Sequence, residues 1–185
     1  MISYHEFFYQ HYTNVQKLLN NSGHEGPLLK KGLSLCHKSQ YMFSKACEYG
    51  IRASIYIAQQ SSLDRKVSLK EVSEAIESPA AYTSKILQKL SRNSIINADK
   101  GPTGGFSMDR VKLEKVKLSS IVSAIDGENI YHSCGLGLKK CNEKKPCPVH
   151  NQFKVIREEL KKMSDTTTIK SLAVDFEKGL TFLRR

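Results

Sequence analysis

Ser68-Leu-Lys-Glu-Val-Ser-Glu-Ala-Ile-Glu-Ser-Pro-Ala-Ala-Tyr-Thr-Ser-Lys-Ile-Leu-Gln-Lys-Leu-Ser-Arg-Asn93 contains two helix starts a few residues apart. In the first, Ser68 and Glu71 stand at capping-box spacing: the serine hydroxyl accepts from the first turn and the glutamate reaches back. The helix that follows carries Leu69, Val72 and Ile76 on one face. In the second, Ser78 is placed to cap and Pro79 to occupy the first helical position, where a missing N–H costs nothing. That helix runs to about Asn93 and directs Ile86, Leu87 and Leu90 inward. Two short helices with a tight turn between them predict a helix-turn-helix whose second member enters the major groove. The exposed positions of that recognition helix carry Tyr82, Thr83, Ser84, Lys85, Gln88, Lys89 and Arg92, a set of phosphate and base-edge donors.

The segments on either side extend the same reading. Upstream, 44–60 has the apolar stripe of an amphipathic helix, with Ala46, Tyr49, Ala53 and Ile57. Downstream, Ile95-Ile-Asn-Ala98 and Phe106-Ser-Met108 flank the turn Gly101-Pro-Thr-Gly-Gly105. Two strands about a glycine-rich turn predict a wing, in which Lys100, Gly101, Thr103 and Gly104 reach flanking phosphate or the minor groove. A nucleotide-binding loop is disfavoured: the Gly-Lys-Ser/Thr ending is missing, and a strand follows instead of a helix. A short helix over 118–125 closes at Gly127. The fold class is therefore mostly α with a small β wing, a winged helix-turn-helix completed by a long dimerisation helix.

That long helix is predicted from about Val149 to Met163. Phe153, Ile156, Leu160 and Met163 form a narrow seam on it, read as intrachain packing or as a homodimer contact. A last helix, capped by Thr168, carries Ile169, Leu172, Ala173 and Phe176. Residues 1–41 differ in character, with a Tyr/Phe-rich start and four of the six histidines. Met42 is read as the natural start and 1–41 as an extension that is not native; an arm touching DNA or a partner is the alternative. The organisation is thus 1–41 extension, 42–126 winged helix-turn-helix, 127–148 cysteine-rich cluster-binding loop, 149–179 dimerisation and C-terminal helices, and 180–185 tail.

The loop carries the second chemistry. Cys134-Gly-Leu-Gly-Leu-Lys-Lys-Cys141-Asn-Glu-Lys-Lys-Pro-Cys147-Pro-Val-His150 holds three of the five cysteines and has no apolar periodicity that packing could explain. Thiolates this close in sequence can converge on one metal or cluster. Lys139, Lys140, Lys144 and Lys145 flank them and favour the anionic form, unless they are simply a solvated loop. Three cysteines and a histidine also spell a structural zinc site, which leaves a zinc-stabilised Cys3His nucleic-acid-binding protein without redox sensing as the alternative. Cys36 and Cys47 are read as incidental thiols, and His132 ranks below His150 as a ligand.

Composition sets the outer bounds. The chain has 185 residues and a formal net charge of +11, an excess that favours a polyanionic partner. No apolar run approaches the ~20 residues of a membrane span. No signal peptide is visible and the odd cysteine count argues against a disulfide framework, so a cytoplasmic protein is expected. No catalytic triad, flavin motif or dinucleotide fingerprint supports an enzyme.

The chain from Met42 to about Gly179 resembles the IscR/NsrR superfamily of bacterial winged-helix iron–sulfur-cluster transcription regulators. The resemblance rests on Met42-Phe-Ser-Lys-Ala-Cys-Glu-Tyr-Gly-Ile-Arg-Ala53, Tyr82, Lys100-Gly-Pro-Thr-Gly-Gly-Phe106, Ile121-Val-Ser-Ala-Ile-Asp126 and the three-cysteine loop. It implies a homodimer on a palindromic double-stranded DNA operator, with a 2Fe–2S or 4Fe–4S cluster held by Cys134, Cys141 and Cys147. The cluster would report cluster status, nitric oxide, iron or redox state. The six residues between the first two cysteines exceed the family's usual gap. The fourth ligand has two candidates, His150 and Glu48, and the resemblance favours Glu48. The Cys147-Pro-Val-His150 ending looks like the cluster-biogenesis regulator and points to His150. The Cys-Glu-Tyr-Gly opening places Glu48 where the nitric-oxide repressor carries an acidic ligand, reaching the loop of a second subunit.

Overall fold

In the computed structural model, residues 42–183 other than Pro102 and Lys140 are described; the extension 1–41 lies outside them. The helices are α1 (Lys45–Ser62), α2 (Leu69–Ala75), α3 (Ala80–Arg92), α4 (Arg110–Lys115), α5 (Leu118–Ile125), α6 (Asn129–His132), α7 (His150–Thr166) and α8 (Ile169–Glu177). The strands are β1 (Asn97–Asp99) and β2 (Gly105–Ser107). Among these, α4 and α6 go beyond the sequence reading, and α6 occupies the start of what was expected to be loop. Both are a turn or two long, too short to display a helical period.

Helix α1 is the central strut. Ser44 caps it by accepting from the Cys47 amide, 3.1 Å away, and the Ser44 amide donates to Asp126 beyond α5 at 2.9 Å. The α1 face bearing Ala53, Ile57 and Ala58 is fully buried, and α2, α3, α5 and α8 all pack on this strut. Gly50 is what lets α5 come so close. An added Cβ there would sit 2.1 Å from Ile125 Cδ1. Val67, Val72, Ile76, Leu87, Leu90, Ile96, Ile121 and Ile169 complete the buried core.

The capping box at α2 forms as expected. The Glu71 amide donates to Ser68 Oγ at 3.2 Å, and the Ser68 amide donates to Glu71 Oε2 at 2.8 Å. The cap expected at Ser78 does not form. Pro79 itself holds the N-cap position in extended backbone, with no side-chain cap bond, and its carbonyl accepts from the Tyr82 and Thr83 amides. The Ser78 hydroxyl is buried without a partner. The tight turn before it uses Glu77 in the left-handed region at φ 53°, a conformation that costs a side-chain-bearing residue energy.

The wing is a two-stranded antiparallel sheet with Asn97 opposite Ser107, Ala98 opposite Phe106 and Asp99 opposite Gly105. Ile95 and Ile96 precede the ladder as buried plugs instead of belonging to it. Val67 exchanges both backbone bonds with Phe106, at 3.0 and 2.8 Å, which ties the wing to the entrance of α2. An ion pair between Lys66 and Asp99 at 2.7 Å reinforces the same joint. At the other end, Ile169 N–H donates to Val116 O and Leu118 N–H to Thr167 O, both at 2.9 Å, so α8 returns onto the core. The tail is held too: Arg52 donates to the Leu183 carbonyl at 3.2 Å.

The seam predicted on α7 is divided. Phe153 and Leu160 are half-buried against the body, with Leu160 packed on Cys47, Leu118, Val122 and Tyr131. Ile156 and Met163 turn outward, 56% and 43% exposed, and Val155 joins them at 59%. Intrachain packing therefore accounts for Phe153 and Leu160, while Ile156 and Met163 are left exposed on the opposite side of the seam.

Candidate functional site

The recognition helix α3 presents the expected face with one exception. Tyr82, Lys85, Gln88, Lys89 and Arg92 are exposed and Ser84 is half-buried. Thr83 does not face outward: it is completely buried, and its hydroxyl donates back to Pro79 O at 3.1 Å. Burial of Thr83 follows from the helical period, which puts 83, 86, 87 and 90 on one stripe. It serves the core, not the groove. Lys89 also differs from a free donor, because its ammonium lies 3.5 Å from Ile125 O at the end of α5, where helix polarity favours a cation.

The wing tip places Lys100, Gly101 and Thr103 in solvent, on a turn closed by Gly104 N–H to Gly101 O at 3.0 Å. Gly101 has φ 104°, open only to glycine at low cost. At Gly104 an added Cβ would stand 2.3 Å from Asp99 O and under 3 Å from two more backbone atoms. Gly105, at φ 155° with Val67 O 2.9 Å from an added Cβ, makes the same demand, so the glycine cluster in the sequence marked positions where the backbone requires it.

The cysteine site is built by α6, the following loop and the N-terminus of α7. Cys134 Sγ lies 3.9 Å from Cys147 Sγ, and Cys141 Sγ lies 3.3 Å from His150 Nδ1. Sequence reasoning missed Arg157. From the second turn of α7 it donates to Ser133 O at 3.1 Å and approaches Cys141 Sγ at 3.6 Å. Helical spacing seven residues after His150 was the available signal. The Leu136 and Leu138 amides, then the Cys147 thiol and the Arg157 charge, lower the Cys134 pKa and favour its thiolate. Cys47 is the opposite case: burial, followed by the nearby Asp126 carboxylate, pushes its thiol up to about 12. Its surroundings favour the protonated thiol at neutral pH.

Two adjoining cavities share His132 and Cys141. One, about 410 Å³, is lined by Cys134, Cys141, His132, Ser133 and Lys139 among others; the second, about 380 Å³, by Cys141, His150, Arg157, Lys154 and Tyr131. Three thiols and an imidazole are donors that iron–sulfur clusters and zinc accept. The structure brings them together as two pairs. Among the described residues no three of His, Cys, Asp and Glu converge on one ion position. Glu48 stands apart on α1, paired with Lys45 at 2.9 Å and outside both cavities.

Comparison with known proteins decides the family. The profile of the Rrf2 family, described as iron-dependent transcriptional regulator, matches residues 43–175. This chain belongs to the Rrf2 family. A candidate HTH-type transcriptional regulator of Aquifex aeolicus is 29% identical over 141 residues, which cover 75% of this chain and 96% of its own. Among solved structures, CymR (YrzC), the global cysteine regulator of B. subtilis, matches with a TM-score of 0.59 at 18% identity, covering 71% of this chain and 95% of CymR. IscR of T. potens matches with 0.58 at 17% identity, covering 75% and 90%. These likenesses agree on the fold, a mostly helical winged-helix regulator with a small two-stranded wing. The resemblance seen in the sequence is upheld at the level of the Rrf2 family, whose members are transcriptional regulators that bind DNA. Among the described residues no helix is long and apolar enough to cross a membrane.

Proposed function

We propose that this Rrf2 regulator is a cytoplasmic homodimer that binds a palindromic duplex operator and adjusts its grip through an iron–sulfur cluster held by Cys134, Cys141 and Cys147. The observation that carries the reading is that the three thiols stand in two pairs beside the start of α7, Cys134 with Cys147 and Cys141 with His150, with Arg157 next to Cys141. The family's description as iron-dependent supports it. When bound, the cluster supplies a centre that can be lost, oxidised or nitrosylated. The chain's own residues do the rest. Leu136 and Leu138 amides favour the Cys134 thiolate, and Arg157 offers a cation and donor beside Cys141. Loop and α7 are joined by the Lys154–Glu143 ion pair at 2.8 Å, so an altered loop acts directly on the helix that carries Ile156 and Met163. These two, with Val155, supply the apolar surface for a second subunit.

The fourth ligand is His150 within the subunit, on the strength of its 3.3 Å approach to Cys141. Glu48 of a second subunit is the competing donor. The same mixed thiol–imidazole pairing favours one other reading, a structural Cys3His zinc site. Tyr82, Ser84 and Lys85 face the major groove, with Lys89 beside them at the α5 end, and Lys100, Gly101, Thr103 and Gly104 form the wing contact.

Anaerobic purification with an absorption spectrum and iron, sulfide and zinc analysis tests the cofactor. A coloured protein with matching iron and sulfide, lost in Cys134→Ser, Cys141→Ser and Cys147→Ser, is the expected result. A colourless protein with one zinc and no sulfide after anaerobic reconstitution assigns the zinc site instead. His150→Ala and Glu48→Ala, compared for cluster retention, decide the fourth ligand.

A further inference from the structure

Tyr82 is the aromatic side chain on the recognition surface, 37% exposed, and it does not stand alone. Its ring meets that of Tyr49 on α1 at 5.8 Å between centroids and 81° between planes, the edge-to-face arrangement that aromatic quadrupoles prefer. Tyr49 is held in turn. Lys45 and Arg52, four residues before it and three after, share its face of α1 and lie 5.2 and 4.6 Å from its ring centre. Arg52 is itself tied down by the Leu183 carbonyl at 3.2 Å. A line of contacts thus runs from the C-terminal backbone through Arg52 and Tyr49 to the exposed ring on α3. An unsupported exposed tyrosine samples several rotamers; one braced on a fixed ring meets DNA already oriented.

We infer that Tyr49 is a positioning residue for operator recognition, holding the Tyr82 ring in the orientation with which α3 reads DNA. The inference rests on the placement of α3 in the groove proposed above. Tyr49 need touch no base itself, so its role is in discrimination between sequences. Affinity for DNA of any sequence comes from phosphate contacts that Tyr49 leaves unchanged.

The test uses the full chain and two duplexes: the operator that the wild-type protein recovers from a random duplex pool, and a scrambled duplex of the same length. Tyr49→Leu keeps an apolar side chain and removes the ring, and Tyr49→Phe keeps the ring. Tyr49→Leu should weaken operator binding about 2- to 10-fold, the range an aromatic pair supports, with scrambled-duplex binding and its salt slope unchanged. Tyr49→Phe should restore wild-type discrimination. In a Tyr82→Ala background, Tyr49→Leu should have no further effect on discrimination, because the coupling between the two rings is already gone. The inference is overturned if Tyr49→Leu weakens operator and scrambled duplex alike, if it leaves both unchanged, or if Tyr49→Phe behaves like Tyr49→Leu. A Tyr82→Ala variant that still distinguishes the two duplexes as wild type does defeats the groove placement of Tyr82 itself, and this inference with it.

Discussion

Gly104→Ala puts the wing to a sharp test. The added Cβ would stand 2.3 Å from Asp99 O, 2.8 Å from Lys100 C and 2.9 Å from Gly101 O. All three are backbone atoms, so no side-chain rotation relieves the contact and the turn must open. Opening it sacrifices the Gly104 N–H to Gly101 O bond and weakens the Asp99–Gly105 pairing next to it. At about 1 kcal/mol per net hydrogen bond, the local cost is about 1–2 kcal/mol. The buried core lies in the helices, so the damage stays in the wing and the rest of the chain folds. Global stability should fall by no more than that local cost, about 2–8 °C in midpoint for a chain of this size. DNA affinity should fall further, because the displaced tip carries Lys100, Gly101 and Thr103. Gly127→Ala is the control. Gly127 has φ 77° with open space around it, so alanine there costs about 1–2 kcal/mol of backbone strain away from the wing. Thermal unfolding by circular dichroism and salt-controlled fluorescence anisotropy on duplex DNA read the two effects. If Gly104→Ala binds DNA as wild type while Gly127→Ala and Gly104→Ala lose similar stability, the wing is not a DNA contact. If Gly104→Ala changes neither quantity, the turn is not built as described.

Four further outcomes are expected. Ser68→Ala should cost about 1 kcal/mol in urea unfolding by removing the α2 cap. The Ser68 backbone and side chain, with Arg65, lower the Glu71 pKa below its ordinary 4.5, so this carboxylate stabilises the fold at neutral pH. That contribution disappears as pH falls from 4.5 through the depressed value, and the pH dependence of unfolding should flatten over that window in Glu71→Gln. Thr83→Val should lower stability by about 1 kcal/mol through the lost bond to Pro79 O and leave sequence discrimination intact; altered base preference in binding selections would return Thr83 to the groove. Ile156→Glu should shift sedimentation equilibrium toward monomer, since a charge would replace an exposed apolar residue on α7; an unchanged mass would locate the subunit contact elsewhere.

Local physics in the sequence settled most of the DNA-binding half. The Ser68–Glu71 spacing specifies a capping box by short-range hydrogen bonding alone, and the stripe Ile86, Leu87, Leu90 fixes which side of α3 turns inward. The same stripe contains Thr83. A polar side chain on it was readable as core only by trusting the helical period over residue type. The wing glycines were legible because positive φ and close backbone approach leave few alternatives.

What tertiary structure decided are contacts between residues far apart in the chain, for which no periodicity exists. Arg157 reaches Cys141 and Ser133 only because α7 packs beside the loop. The Cys47 thiol is pushed up first by its burial and then by Asp126, which α5 brings against the start of α1. The division of the α7 seam into Phe153 and Leu160 inward, Ile156 and Met163 outward, depends on where the body ends and solvent begins. Sequence determines which side chains share a helix face; packing alone determines what that face meets, because burial is a property of the neighbours as much as of the residue.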